Sequence, residues 1–455
     1  MNIGQLHADI IAKKISPVEL VEDALAKVEA DNQKYNAFVT VAREQALEAA
    51  SAAEREILRG DVRGFLHGIP IGIKDIIYTD EMRTTMGSAV YQDFVPQEDA
   101  LVVARLKAAG AIILGKLHTH EFAYGPTGDR SFCGPARNPH DPARVTGGSS
   151  SGAAAAVALD WIAAGVGTDT GGSIRIPAAC CGVVGLKPTY DLIARTGVYP
   201  LSASLDHVGP LAQSVSDCAH MLAAMVRSDE TNTDSKFHFT DQYRQTLYDG
   251  VSELRIGVPR QYFWDMLEPE IRQRNTWVIE QLEGQGAVIV PVDLTHITQF
   301  VSAHQAIQRS EAYTVHTVHI RDFAAVMDAE LLDRLNLSMK VFGYEYVQAK
   351  SFQQEAKRMV DELWANVDCI LTPTLPIFAP YIDERDIIVD EKQTTVRDAL
   401  LRCTSPFNLT GHPALSVPCG RGQAGLPMAV QVVGPMYNEA RLFQIGFAIE
   451  QMTMV

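Results

Sequence analysis

The segment from Val145 to Gly182, VTGGSSSGAAAAVALDWIAAGVGTDTGGSIRIPAACCG, sets the tightest limit on what this chain can fold into. Its glycine pairs Gly147–Gly148 and Gly171–Gly172 each lead straight into a serine, Ser149 and Ser173. Glycine- and serine-rich stretches are usually flexible connections. This one is interleaved with alanine and valine, which pack, so its glycines are read as tight turns or as places where a ligand nears the backbone. No GxxxxGKS or GxxxxGKT is present, and GVGTDTGG does not complete GxGxxG, which argues against a nucleotide site. A nucleophile elbow needs GxSxG, and both serines lack the last glycine. The segment also holds no histidine.

A serine hydroxyl is a poor nucleophile until a neighbouring base takes its proton. A lysine does this only when neutral, so burial must lower it by roughly 3 pH units from its reference value of about 10.4. Lys74, at the end of the apolar run IPIGI, meets that requirement. The residue pattern alone leaves two readings open for Lys74: a desolvated base, or the ion-pair partner of Asp75.

Elsewhere the sequence alternates helical and strand patterns. Ser16, Pro17 and Glu19 form a helix start with a capping box. The β-branched run from Gly68 suits a buried strand ending near Lys74. The stretches from Asp99, Trp277 and Met359 repeat one grammar, a helix, a polar or glycine stop, and a short apolar strand. The expected fold is therefore α/β, a large mixed β-sheet covered by helices on both faces. The expected organisation is an N-terminal helical region over 1–64, a catalytic core over 65–226, and over 227–455 a C-terminal part of the same domain that contributes to the substrate pocket. The polar stretch from Arg227 to Arg244 is the candidate connection.

Composition narrows the partners. With a net charge of −16, the surface repels phosphate backbones and anionic lipid, so neither direct nucleic-acid nor membrane binding is expected. Seven scattered cysteines without a CxxC pattern fit buried thiols in a reducing cytoplasm. No basic stretch with a following apolar core opens the chain, and no apolar run reaches membrane-spanning length. A cytoplasmic location is expected.

From Gly147 to Ala178, with IPIGIKDI upstream and CGVVGLKPT and SLDHVGPLAQSV downstream, the chain resembles the amidase signature family. Looser likeness extends through RLKAAGAIILGKLHTHEFAYG, LTPTLPIFAP and GLPMAVQVVGP. The resemblance implies a Ser–Ser–Lys triad. Ser173 aligns with the acyl-forming nucleophile, Ser149 with a bridging serine held through a cis peptide bond, and Lys74 with the base. Backbone N–H groups of Thr170, Gly171, Gly172 and Ser173 are placed to form an oxyanion hole. Asp169 and Arg175, flanking that turn, are read as an ion pair that holds it. Ala123 and Tyr124 are expected to line the substrate cleft.

The chain departs from the family at His118 and His120, where many members carry Asn and Asp. HxHE lacks further ligands nearby, so no metal is expected, and no organic cofactor. Three histidines in the stretch from Ser302 are placed on a partly exposed helix with no chemistry, and Arg309 is a candidate for an anionic substrate group. The expected activity is a free-standing amidase that cleaves a small-molecule amide through an acyl-enzyme, with a homodimer left open. The alternative is the glutaminase-type component of a glutamyl-tRNA amidotransferase, which needs partner chains. The intact triad disfavours a catalytically dead scaffold.

Overall fold

The computed structural model describes residues 1–226 and 242–453. Most of the candidate connection, residues 227–241, lies outside them. Among the described residues eleven strands form one sheet: β1 (Phe38–Val41), β2 (Pro70–Lys74), β3 (Ile112–Leu117), β4 (Ala164–Asp169), β5 (Val184–Lys187), β6 (His207–Ala212), β7 (Arg255–Pro259), β8 (Val288–Val292), β9 (Cys369–Pro373), then, after a separate hairpin of β10 (Asp386–Val389) and β11 (Lys392–Thr395), β12 (Ala414–Arg421) and β13 (Pro427–Val433). Across the sheet they run β1-β3-β2-β4-β6-β5-β12-β13-β9-β7-β8.

The sheet is mixed. β3–β2–β4 and β9–β7–β8 are parallel sets, and the remaining pairs are antiparallel. β2, β3, β4 and β9 are buried along their whole length, as strands covered on both faces must be. This is why IPIGI and AIILG are nearly continuous apolar runs. Strands from before and after the undescribed stretch lie in the same sheet, with β12 paired to β5.

The helix starts follow local chemistry. Ser16 accepts from Glu19 N at 3.0 Å while the Glu19 carboxylate accepts from Ser16 N, and Pro17 opens the helix Pro17–Tyr35. The helices Leu101–Ala108 and Pro269–Gly284 precede β3 and β8 as the sequence grammar requires. The first sixty residues form three helices, Ile3–Ile11, Pro17–Tyr35 and Arg43–Arg59, with short connections and β1, which pairs antiparallel with β3.

Parallel pairing positions the site. β2, β3 and β4 end at the same edge of the sheet, so Lys74, the His118–Tyr124 segment and the Asp169–Ser173 turn all leave from neighbouring carboxyl ends. In α/β sheets that edge is where ligands bind.

Candidate active site

Lys74 is the last residue of β2 and has no solvent exposure. Its Nζ donates to Ser149 Oγ at 2.8 Å, Ser150 Oγ at 3.0 Å and Thr168 Oγ1 at 2.7 Å. Burial lowers the ammonium from its usual range to about 7, although Asp169 and Asp206 oppose the shift. Asp75, the first residue of the turn after β2, takes different partners. It accepts from the Thr85 N–H at 3.1 Å and from the Thr85 hydroxyl. Its electrostatic counterpart is Lys116 on β3. Of the two readings left open for Lys74, the geometry therefore follows the desolvated lysine among hydroxyls.

A neutral amine has two N–H bonds and one lone pair, so one of the three hydroxyls facing Nζ must turn its proton toward nitrogen. Ser150 is committed elsewhere, since its hydroxyl donates to Thr168 O at 3.1 Å. Ser149 follows a cis Gly148–Ser149 peptide and immediately precedes Ser150 and the helix Ser151–Ala158. Among the described residues its hydroxyl has no partner besides Lys74. A Cβ at Gly148 would press on the Gly128 N–H, so glycine is required there.

The turn after β4 lies beside this cluster. Ser150 N donates to Ser173 O at 3.2 Å, which ties the two glycine turns together. All four carbonyls of the turn are engaged. Thr170 O accepts from His304 Nε2 at 2.8 Å, Gly171 O from Thr404 Oγ1 at 2.6 Å, and Gly172 O from Ile176 N at 2.7 Å, with Ser173 O bound as above. Among the described residues, no acceptor within the chain meets the N–H groups of Gly171, Gly172 and Ser173. Such unpaired donors beside a helix start can receive an anionic oxygen. Gly172 has φ +139°, and a Cβ there would overlap the Thr404 hydroxyl. Ser173 is 7% exposed. The Thr170 hydroxyl donates to Asp206 Oδ1 at 2.7 Å.

Asp169 and Arg175 form the expected pair beneath the turn, both without exposure. Arg175 donates to Asp169 Oδ1 at 2.9 Å and Oδ2 at 3.0 Å, to Asn408 Oδ1 at 2.6 Å and to Gln431 Oε1 at 2.7 Å. Burial works to raise the Asp169 carboxyl, but the Arg175 guanidinium outweighs it and holds the group well below the usual carboxylate range.

Two cavities flank the turn. One, of about 170 Å³, includes Ala123, Thr168, Thr170 and Asp206. The other, of about 490 Å³, includes Tyr124, His304, Arg309, Arg397 and Leu401. Ala123 and the preceding Phe122 are left-handed, with φ of 58° and 49°, conformations that side-chain-bearing residues hold only under constraint. His118 bonds Ser151 Oγ and Gly134 O, both at 2.8 Å, while the His120 ring accepts from Gly128 N at 3.2 Å. The two rings thus face different partners.

The helix Ile297–Asp322 is partly exposed, as expected, and its three histidines, His304, His316 and His319, lie on its buried side. His304 supports the Thr170 carbonyl, and burial lowers it to about 4, so it is neutral and its Nε2–H is the donor there. Nothing in helical periodicity marks that contact, which joins residues 134 positions apart.

The family model for amidase matches residues 19–443. The chain belongs to the amidase signature family. A relative from Clostridium acetobutylicum, named as the second A-type subunit of glutamyl-tRNA(Gln) amidotransferase, is 36% identical over 99% of this chain and 98% of its own length. The A-type subunit of the glutamyl-tRNA(Gln) amidotransferase of Geobacter metallireducens is 37% identical over 100% of this chain and 97% of its own. A solved structure, described as an unexpected vestigial protein complex revealing the evolutionary origins of an s-triazine catabolic enzyme, superposes with a TM-score of 0.94 at 32% identity, covering 99% of this chain and 98% of that one.

Proposed function

We propose that this chain hydrolyses a carboxamide through an acyl-enzyme on Ser173. The observation that carries the reading is Lys74, buried, lowered to about 7 and in hydrogen-bond contact with Ser149. Ser173 Oγ attacks the amide carbon. Its proton passes to Ser149 as the proton of Ser149 passes to the Lys74 lone pair. The oxyanion meets the N–H groups of Gly171, Gly172 and Ser173. The C–N bond then breaks as the proton returns through Ser149 to the leaving nitrogen. Water repeats the sequence on the acyl-enzyme and releases the acid.

The relatives support one part of the second expectation, that the chain works with other subunits, over a free-standing enzyme. Both curated relatives above are named as subunits, and they match along the full length. The solved structure described as a complex supports the same reading.

Two measurements test this. Quenching turnover and measuring the Ser173 peptide by mass spectrometry should reveal the acyl adduct; a labelled residue other than Ser173 would overturn the mechanism. Amide turnover should be higher for the chain co-expressed with the products of adjacent genes than for the chain alone. A full, unchanged rate from the chain alone would return the free-standing reading.

A further inference from the structure

The cavity of about 490 Å³ beside the Gly171 turn carries charge opposite to that of the chain. Four guanidinium groups line it, those of Arg309, Arg334, Arg397 and Arg402, against one carboxylate, the exposed Asp398, in a chain whose net charge is −16. Two of the four are engaged. Arg334 pairs with Glu330, and Arg402 lies 3.9 Å over the Tyr262 ring and donates to Tyr262 O at 2.8 Å. Among the described residues Arg309 and Arg397 form no ion pair, and both are only half-buried. Arg397 lies over the Tyr124 ring at 5.5 Å and reaches Gln308 Oε1 at 3.5 Å. Burial and the nearby Arg334 lower Arg397 to about 10, which leaves it charged at neutral pH.

Two helices set the spacing. On Ile297–Asp322, His304 holds the Thr170 carbonyl, and one turn further Gln308 and Arg309 reach the cavity wall. On Val396–Arg402, Leu401 abuts Gly171, and Arg397 stands one turn earlier. Each helix thus offers one residue at the turn before Ser173 and a guanidinium further along its axis, about 6 Å away for Arg397 and about 7.5 Å for Arg309.

We propose that Arg309 and Arg397 bind a carboxylate on the amide substrate, and that this substrate is a short carboxamide acid without an ammonium group. The proposal rests on the reading that Ser173 attacks an amide. A guanidinium pair suits a carboxylate. An ammonium placed in the same cavity would face guanidinium groups with only the exposed Asp398 as counter-charge, and like charges brought together oppose binding. In the smaller cavity Asp206 already accepts from Thr170 Oγ1, Leu201 N and Ser202 N, and the Arg195 guanidinium lines the same space and opposes an ammonium there.

Three amides of equal carbon chain separate the features: glutaramate, with a carboxylate; pentanamide, with neither charge; and L-glutamine, with carboxylate and ammonium. Glutaramate should exceed both others in kcat/KM by about ten- to hundred-fold, the worth of a hydrogen-bonded charge. In Arg397→Gln its preference over pentanamide should fall about ten-fold, through KM, and Arg397→Lys should retain a larger share. Arg309→Gln is the second variant if Arg397→Gln fails to fold. Pentanamide or L-glutamine matching glutaramate, or an unchanged preference in both variants, would overturn the proposal. Glutarate binding to Ser173→Ala, followed by calorimetry, separates the two readings. If no amide is cleaved but glutarate binds and Arg397→Gln weakens it, the Ser173 reading falls and the anion site stands. If amides are cleaved without preference and glutarate does not bind, the anion site falls alone. If no amide is cleaved and glutarate does not bind, both fall.

Discussion

Lys74 and Ser149 lie 75 residues apart in the chain, and the lysine Nζ sits 2.8 Å from the serine hydroxyl with neither residue reaching solvent. Burying a lysine is costly unless it is neutral or fully hydrogen-bonded. Here three hydroxyls satisfy it without a carboxylate, so either protonation state can be accommodated near neutral pH. A carboxylate in contact would have held the lysine charged and useless as a base.

Ser173→Ala removes the proposed nucleophile while leaving packing almost untouched. Amide turnover should fall by about 10,000-fold or more, with an unaltered melting temperature. Measuring both quantities on one preparation checks this. Retention of a tenth of the activity would exclude Ser173 as the nucleophile.

Ser149→Ala removes the proposed proton relay but leaves Ser173 and Lys74 in place. Loss of a general acid–base relay costs about 100- to 10,000-fold, so the variant should be damaged but measurable in single-turnover kinetics. Wild-type rates would exclude the relay.

Gly172→Ala places a Cβ against the Thr404 hydroxyl at a φ of +139°. The turn must open, which misplaces the N–H groups proposed to meet the oxyanion. Stability should drop by more than about 1 kcal/mol in chemical denaturation, and kcat should fall with it. A fully active, stable Gly172→Ala enzyme would show that the turn geometry is not required.

Asp169→Asn removes one partner of a fully buried ion pair. The Arg175 charge that remains would cost about 3–5 kcal/mol, read as a lower denaturant midpoint. Because Arg175 holds Asp169 well below the usual carboxylate range, the pair stays ionised and its contribution is present at neutral pH. It is lost only as pH falls below that range.

Local features of the sequence foretold much of the fold and part of the site. Ser16, Pro17 and Glu19 marked a helix start, and the helix-stop-strand grammar located β3, β8 and β9, because these depend on neighbours in the chain. The glycines before Ser149 and Ser173 marked turns for the same reason. The supports of the turn were not legible. His304, Thr404, Asn408 and Gln431 reach it from more than 130 positions away, through tertiary packing that no local pattern encodes. β1 was missed because four residues between two long helices carry too short a pattern. The polarity of Arg397 was visible, but its place beside Tyr124 depends on where the helix Val396–Arg402 docks.

The most direct test of the central claim is kcat/KM against pH for wild type and Lys74→Arg. The proposed working form is the neutral amine, present above the folded pKa, so wild-type kcat/KM should rise with pH through about 7. His304, lowered to about 4 by burial, should add no step near the usual histidine value. Arginine keeps the charge but cannot give up its proton, so Lys74→Arg should be nearly inactive at every pH. A robust Lys74→Arg enzyme with the wild-type profile, or a wild-type profile flat from about pH 5 to 9, would contradict lysine as the base.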